Sequence, residues 1–174
     1  TKLHVTLPLT LAILPALMLS LVPALAVVAV LRLLVPDPLF NSSYSTVVLD
    51  RGGQLLGASV ADDGQWRFPP DQAVPERFAT ALLSYEDRRF LQHGGVDVLA
   101  LLRALRGNLA AGEVKSGGST LTMQLMRLAR GNPERTVPEK MVEAAMALAM
   151  ELLHGKSDIL RLYAAHAPFG GNVV

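Results

Sequence analysis

Residues 84–97 read SYEDRRFLQHGGVD, a charged and glycine-containing stretch between two apolar runs. FATALLS (78–84) precedes it and VLALLRAL (98–105) follows, and both runs have the apolar spacing of helices. A solvated loop between two helices would explain the charges, because charged residues are mostly exposed. Whether this loop also has a function depends on the motifs in the rest of the sequence.

The second half of the chain is predicted to be mostly helical. Asp97, Thr136 and Ser157 stand where helix N-caps are expected, and either Ser119 or Thr120 opens one more helix. The predicted helices cover residues 75–86, 98–111, 120–130, 140–154 and 158–166. This part of the sequence contains no internal repeat, so a single helical domain is expected.

One of these helices, residues 140–154, carries four polar side chains in one sector of an otherwise apolar surface. They are Lys140, Glu143, Glu151 and His154. Because the remaining positions are nearly all Met, Ala, Leu or Val, most of the circumference of this helix is expected to be buried. The polar sector is either a narrow solvated face or a stripe that lines a cleft.

Two β-rich runs, residues 44–50 and 54–60, lie upstream of the helices and flank Arg51-Gly52-Gly53. A glycine-containing loop of three residues between two such runs predicts a β-hairpin. The chain is therefore expected to have three parts. Residues 1–36 are predicted to be a membrane anchor or signal peptide, residues 37–72 a linker with the hairpin, and residues 73–174 the helical domain.

The N-terminal part of the chain is predicted to be a transmembrane helix. No charged residue occurs from Leu7 to Leu31, and a helix of that length exceeds the roughly 30 Å hydrocarbon core of a bilayer. A cleavable signal peptide is the alternative, because Ala24-Leu25-Ala26 has the small residues of a cleavage site. The apolar run continues to Val35, which favours an uncleaved anchor. Either interpretation places the rest of the chain across the membrane.

Composition and two incomplete motifs exclude several functions. The 174 residues carry 16 basic and 15 acidic side chains, a net charge of +1, which is no electrostatic footprint for nucleic acid. The lack of cysteine excludes disulfides and thiolate metal sites. Lys115-Ser116-Gly117 resembles a transpeptidase triad, but the S-x-x-K of its nucleophile is missing, so acyl transfer within this chain is excluded. Gly155-Lys156-Ser157 resembles the end of a P-loop, but Met150 stands where its first glycine belongs.

Four short motifs follow one another from residue 86 onward. The pattern E-D-x-x-F-x-x-H-x-G is followed by Glu86, Asp87, Phe90, His93 and the pair Gly94–Gly95. It is succeeded by GGSTLTMQL (117–125), by R-x4-K-x2-E at Arg135, Lys140 and Glu143, and by ILRLYAAHAPFGGN (159–172). In order and spacing these motifs resemble the peptidoglycan glycosyltransferase domain (family 51) of class A penicillin-binding proteins. Met123-Gln124 and APFGGN look most like the penicillin-binding protein 1C subgroup.

This resemblance implies a lysozyme-like helical fold, with the glycosyltransferase domain continuing past Val174. It implies an enzyme that polymerises lipid II with inversion, joining the 4-hydroxyl of one disaccharide to C1 of another and releasing undecaprenyl pyrophosphate. It also implies a single-pass protein of the bacterial inner membrane with its catalytic domain on the periplasmic side. The expected partners are lipid II, the growing glycan strand, the membrane and other cell-wall synthesis proteins, and not nucleic acid.

The same resemblance implies roles for the motif residues. Glu86 matches the catalytic glutamate and would be the general base, and Glu143 matches the second catalytic glutamate of the family. Glu143 is expected to orient a phosphate-binding cation or, through the pyrophosphate, a divalent metal (Mg²⁺ or Mn²⁺), and no organic cofactor is expected. Asp87 and His93 are expected to shape the cleft. The full set of expected substrate-binding residues is Asp87, His93, Ser119, Thr120, Gln124, Arg127, Arg135 and Lys140.

Some positions depart from the family pattern, and two alternatives to the polymerase stay open. The departures are Met123, Arg127, Leu128, Glu139 and Ala165. Glu139 stands where many relatives have a second basic residue, which makes the predicted pyrophosphate site less positive. One alternative is a degenerate scaffold that binds lipid-linked precursor without turnover. The other is a muramidase-like hydrolase, but hydrolysis of glycan needs no pyrophosphate site, so the basic residues of the second and third motifs favour the polymerase.

Overall fold

The structure, a computed structural model, describes residue 23 and residues 25–70, 73–113, 117–171 and 173 of the chain. From residue 46 onward its elements are β1 (Thr46–Leu49), β2 (Leu55–Ser59), α1 (Glu76–Glu86), α2 (Val98–Ala111), α3 (Leu121–Ala129), α4 (Val137–Leu153) and α5 (Lys156–His166). A 3₁₀ turn, Phe90–Gln92, lies between α1 and α2. The predicted combination of a mostly helical fold with one small antiparallel sheet is confirmed.

The predicted transmembrane helix lies largely outside the described residues. Of the apolar run, the structure describes residue 23 and residues 25–35, and residues 25–34 are helical. Among the described residues, no helix is both long and apolar enough to cross a bilayer. The anchor and its single-pass topology therefore stay predictions.

β1 and β2 form the predicted antiparallel hairpin. Asp50 and Gln54 close its loop through a backbone hydrogen bond of 2.8 Å. The Asp50 carboxylate also accepts hydrogen bonds from the backbone N–H groups of Gly52 and Gln54, at 2.7 and 2.8 Å. Gly53 has a φ of +80°, a conformation that favours glycine. The turn is therefore the glycine-containing loop of three residues that the sequence predicts.

α3 is the centre of the hydrophobic core. Its Leu121, Leu125 and Met126 are completely buried, in one cluster with Met150 of α4 and Ile159 of α5. Burying a side chain of this size stabilises the fold by about 1.5–3 kcal/mol relative to leaving it in water. Part of the half-buried side of α3 lines the candidate active site, so the core packing fixes one wall of that site.

α4 is less enclosed than its composition predicts. Met146 and Met150 are buried against the core, but Met141, Leu148 and Leu152 stay exposed in the described part of the chain. The expectation that most of this helix is buried is therefore wrong for one side. The reason is geometric, because α3 and α5 pack along the other side only.

Three predicted helix N-caps are present, and the fourth is displaced. The side chains of Asp97, Thr120 and Thr136 accept hydrogen bonds from the N–H groups of Ala100, Met123 and Glu139, at 3.0, 3.2 and 3.4 Å. The prediction that Ser157 opens the last helix is wrong. α5 begins at Lys156 with Gly155 as its N-cap, and the Gly155 carbonyl already accepts from the N–H of Ile159. The Lys156 ammonium donates hydrogen bonds to the carbonyl of His93 and to Glu151, and these contacts hold the first residue of the helix.

His166 at the end of α5 holds the segment that follows residues 25–34. Its ring stacks on Phe40 with 3.8 Å between the ring centroids, and Tyr44 approaches its edge at 6.4 Å. Its Nδ1 lies 2.9 Å from the carbonyl oxygen of Leu162 and donates to it. Burial, with a smaller contribution from the charge of Arg67, lowers the pKa of His166, although the bond to Leu162 opposes the shift. The buried ring is therefore held in its neutral form at neutral pH.

Because of His166, the free energy of unfolding should decrease as the pH falls below about 6.5, the ordinary pKa of histidine. Because the folded-state pKa of His166 is lower, the unfolded chain binds the proton first, and this contribution to stability is lost as the pH falls through the folded pKa. Melting temperatures from about pH 7.5 to 5 would measure the loss. It should be smaller in His166→Phe, whose ring can stack on Phe40 without titrating. The same acid dependence in both proteins would contradict this assignment.

Candidate active site

A cleft of about 510 Å³ opens beside the C-terminal end of α1, the start of α4 and one side of α3. Seven of the ten predicted site residues line it: Glu86, Ser119, Gln124, Arg127, Arg135, Lys140 and Glu143. Gly117, Thr136 and Val137 also line the cleft and were not predicted. Asp87, His93 and Thr120 lie outside its lining. Residues from three motifs that are far apart in the sequence thus meet in one cavity.

Glu86 is the last residue of α1 and is half-buried at the cleft. Its Oε2 accepts a hydrogen bond of 2.9 Å from the side-chain amide of Gln124, whose carbonyl oxygen accepts one of 3.0 Å from the Tyr163 hydroxyl. Burial and then the charge of Glu86 raise the pKa of Tyr163 to about 12, so Tyr163 remains a donor at neutral pH. This donor fixes the amide of Gln124 with its NH₂ toward Glu86. The other oxygen, Oε1, accepts no hydrogen bond from a described residue.

Asp87 is buried behind the wall of the cleft. Its carboxylate lies 3.0 Å from Nε2 of His93, and it accepts a hydrogen bond of 3.0 Å from the N–H of Leu121 at the start of α3. A buried carboxylate is stable only with such partners. Because Leu121 begins α3, these contacts also join the first motif to the helix of the second. Asp87 and His93 support the cleft from behind, and their predicted contact with substrate stays a prediction.

Thr120 joins the same two motifs. Its hydroxyl accepts a hydrogen bond from the N–H of Met123 and donates one of 2.5 Å to the carbonyl of Gly95. The side chain is engaged in both directions and only 2% of the residue is exposed, so it does not reach the lining of the cleft. Its neighbour Ser119 does line the cleft. Of this predicted pair, Ser119 has the position from which a ligand can be contacted.

The part of the cleft formed around α4 is cationic and is organised by Glu143. Oε1 of Glu143 lies 3.8 Å from Nε of Arg127 and Oε2 lies 3.5 Å from Nζ of Lys140, while the side chain is only 5% exposed. Arg135 lines the cleft from the exposed segment between α3 and α4 and forms no ion pair with a described residue. Two cations contact one buried carboxylate and Arg135 lines the same cleft, so this part of the cleft has a net positive charge, which suits an anionic ligand.

Comparison with known proteins identifies the family. A family model described as Transglycosylase matches residues 53–174. The chain belongs to the transglycosylase family. Penicillin-binding protein 1C of Escherichia coli (strain K12) is 40% identical to it over 139 residues, which make up 79% of this chain and 18% of that protein. Penicillin-binding protein 1A of Neisseria cinerea is 43% identical over 124 residues, 71% of this chain and 15% of that protein.

A more distant relative is penicillin-binding protein 1A of Aquifex aeolicus (strain VF5), 34% identical over 132 residues, 74% of this chain and 18% of that protein. The transglycosylase chain thus spans less than a fifth of the length of these relatives. The identification made from the four motifs, a glycosyltransferase domain like that of class A penicillin-binding proteins, is confirmed.

The transglycosylase cleft keeps its positive charge despite Glu139. Nη1 of Arg130 makes a short contact with Oε2 of Glu139, and Nη2 lies 3.4 Å from Oε1. This pairing raises the pKa of Arg130. Glu139 is not part of the cleft lining. The expected weakening of the positive site by Glu139 is therefore offset, because Arg130 balances its charge outside the cleft.

The cleft residues do not fit a resident divalent cation. Among the described residues, no three His, Asp or Glu side chains are arranged to hold a metal ion. Glu143 already lies between Arg127 and Lys140, whereas Mg²⁺ needs several oxygen ligands in octahedral geometry. The donor set of the cleft therefore favours an anion.

Sequence reasoning missed Tyr163 as a site residue. The tyrosine lies in the fourth motif, but its hydrogen bond to Gln124 joins residues that are 39 positions apart. The available signal was its place in a motif shared with the family, because a buried tyrosine hydroxyl usually needs a hydrogen-bond partner. The identity of that partner follows only from the packing of α5 on α3.

Proposed function

We propose that the protein is an inverting peptidoglycan glycosyltransferase that polymerises lipid II and releases undecaprenyl pyrophosphate. The observation that carries this proposal is one cleft that combines a hydrogen-bonded carboxylate, Glu86, with the cationic group around Glu143. Membership of the transglycosylase family and the similarity to penicillin-binding proteins 1A and 1C support it. Hydrolysis of glycan would use the carboxylate but would give the cations no role.

Glu86 is the general base of the proposed reaction. The acceptor 4-hydroxyl transfers its proton to Oε1 of Glu86 while its oxygen forms a bond to C1 of the donor sugar. The bond between C1 and the pyrophosphate oxygen breaks, and its electron pair leaves with the pyrophosphate. Attack on the face opposite the leaving group inverts C1. A positioned base of this kind contributes about 10²- to 10⁴-fold to the rate, and Gln124 supplies the positioning by holding Oε2.

Arg127, Arg135 and Lys140 bind the departing pyrophosphate in this proposal. Negative charge grows on the leaving group as its bond to C1 breaks, so cations aimed at it stabilise the transition state more than the ground state. Ser119 lines the cleft as well, and its hydroxyl can donate a hydrogen bond to a pyrophosphate oxygen. Glu143 holds Arg127 and Lys140 in place through the contacts described above.

The substrate sets the proposed location of the enzyme. The lipid tails of lipid II and of the growing strand stay in the bilayer, so the domain is placed at the outer surface of the bacterial inner membrane. Residues 7–31 would be its single-pass anchor, and other cell-wall synthesis proteins are its proposed partners. A divalent cation, Mg²⁺ or Mn²⁺, would accompany the pyrophosphate.

The test uses the full-length protein that contains this chain, in detergent with divalent cation and labelled lipid II. We expect glycan polymer to form and undecaprenyl pyrophosphate to be released. Lipid II that binds without forming polymer would overturn the proposal in favour of a scaffold. Shortening of preformed glycan strands, without polymer formation, would overturn it in favour of a muramidase-like hydrolase.

A further inference from the structure

A buried polar cluster lies behind the cleft and is centred on Lys156, the first residue of α5. The Lys156 ammonium donates a hydrogen bond of 2.7 Å to the backbone carbonyl of His93 and one of 2.8 Å to Oε1 of Glu151. It also lies 4.2 Å from the centroid of the Phe90 ring. The same Glu151 oxygen accepts a hydrogen bond of 2.6 Å from the hydroxyl of Thr122. One ammonium group therefore connects the first motif with α3, α4 and α5.

The burial of this cluster makes its contacts interdependent. Thr122 is fully buried, and the side chains of Glu151 and Lys156 are 7% and 25% exposed. A buried charge that loses its partner is strongly destabilising, so none of these groups can be removed alone without effect. A lysine suits the position because its compact ammonium has three donors. Here it meets a carbonyl, a carboxylate and the face of an aromatic ring.

Two routes lead from Lys156 to the carboxylate of Glu86. Along the first, Lys156 holds the backbone of His93, whose ring is bound to Asp87, the residue next to Glu86. Along the second, Lys156 and Thr122 share Glu151, and Thr122 lies two residues before Gln124, which donates to Glu86. Lys156 itself does not line the cleft. Any effect on the reaction would therefore be indirect.

We propose that Lys156 is a positioning residue that sets the orientation of Glu86 from behind the cleft. The inference rests on the proposed function, in which Glu86 is the base. In the sequence, Lys156 belongs only to an incomplete P-loop pattern. In the structure, it joins the first motif to the packed helices. The cations that bind the substrate are not in this cluster, so loss of Lys156 should act on turnover rather than on binding.

The first test is Lys156→Met, which keeps an apolar stem of similar length and removes the three donors. In the full-length protein we expect the kcat for lipid II polymerisation to fall roughly 10- to 100-fold, because a small misplacement of a reacting group has effects of this size. The KM for lipid II should change by no more than about twofold. Loss of a residue that binds the substrate in the ground state would instead raise KM. The matched control is Arg161→Met, which removes another ion-paired cation of α5, and it should leave both constants unchanged.

A double variant separates positioning from stability. Lys156→Met leaves the buried Glu151 with the Thr122 hydroxyl but without a cation, so it should also lower the melting temperature. Lys156→Met with Glu151→Gln removes both charges and should recover part of the melting temperature. The carbonyl of His93 still lacks its donor, so kcat should stay low. Recovery of kcat together with the melting temperature would overturn the inference, and so would a change in KM with kcat intact.

A readout that does not depend on activity completes the test. Amide hydrogen exchange in residues 87–97 should increase in Lys156→Met and remain unchanged in Arg161→Met. Unchanged exchange in Lys156→Met would overturn the inference whatever the activity. If the unaltered protein forms no polymer, the proposed function fails, and the exchange measurement still decides whether Lys156 holds this segment.

Discussion

Replacing Glu86 by glutamine in the full-length protein should stop glycan polymerisation while lipid II still binds. The amide has nearly the same shape, and its carbonyl can still accept the hydrogen bond from Gln124, but it cannot take the proton of the acceptor hydroxyl. Loss of a general base costs about 10²- to 10⁴-fold in rate, so we expect kcat to fall at least 100-fold. Initial rates of polymer formation from labelled lipid II measure this change.

The matched control for this variant is Glu76→Gln on the same helix. Glu76 begins α1, is exposed and does not line the cleft, so the same chemical change there should leave the rate unaltered. Binding of labelled lipid II should be similar in both variants, because Arg127, Arg135 and Lys140 remain in place. A Glu86→Gln protein that keeps more than about a hundredth of the rate would contradict the role of Glu86 as the base.

The parts of the fold that the sequence predicts correctly depend on local signals. Asp97, Thr120 and Thr136 cap helices through their own side chains, and these caps can be recognised from residue type and spacing. The predicted start of α5 is two residues too late, because Gly155 has no side chain by which a cap could be recognised, and Lys156 is held by tertiary contacts that the sequence does not reveal. The exposed side of α4 was missed for a similar reason, since composition does not reveal how many neighbours a helix has.

Within the candidate site, the sequence predicts which residues come together better than which way they face. Ser119 and Thr120 are adjacent in one motif, yet Ser119 lines the cleft while Thr120 is turned toward Gly95. The polar sector of α4 divides in the same way. Lys140 and Glu143 reach the cleft, whereas Glu151 lies in the buried cluster of Lys156. The spacing of the polar residues predicts that they share one side of α4. Only the packing of α3 and α5 shows that part of this side faces the cleft and part faces the buried cluster of Lys156.

Replacing Gly95 by alanine should destabilise the fold more than most changes within the cleft. Gly95 has a φ of +92°, and a Cβ atom built there would lie 2.5 Å from the carbonyl oxygen of Ala147 in α4. A residue with a side chain would therefore be strained by about 1–3 kcal/mol in its backbone, and it would clash with the backbone of a helix that cannot yield cheaply. Moving the helix or the loop to relieve the clash would add about 1–3 kcal/mol. Thermal or denaturant unfolding should show a loss of stability of several kcal/mol in all.

The neighbouring glycine supplies the control, and the comparison decides which glycine of the first motif the fold requires. A Cβ on Gly94 would meet no atom within 4 Å, and Gly94 is not among the residues with positive φ. Gly94→Ala should therefore change stability by no more than about 0.5–1 kcal/mol, and in the stabilising direction, because alanine restricts the unfolded chain. The carbonyl of Gly95 accepts the hydrogen bond from Thr120, so displacement of Gly95 should also loosen the start of α3. Equal effects of the two substitutions would mean that the close approach of this loop to α4 does not hold the first motif in place.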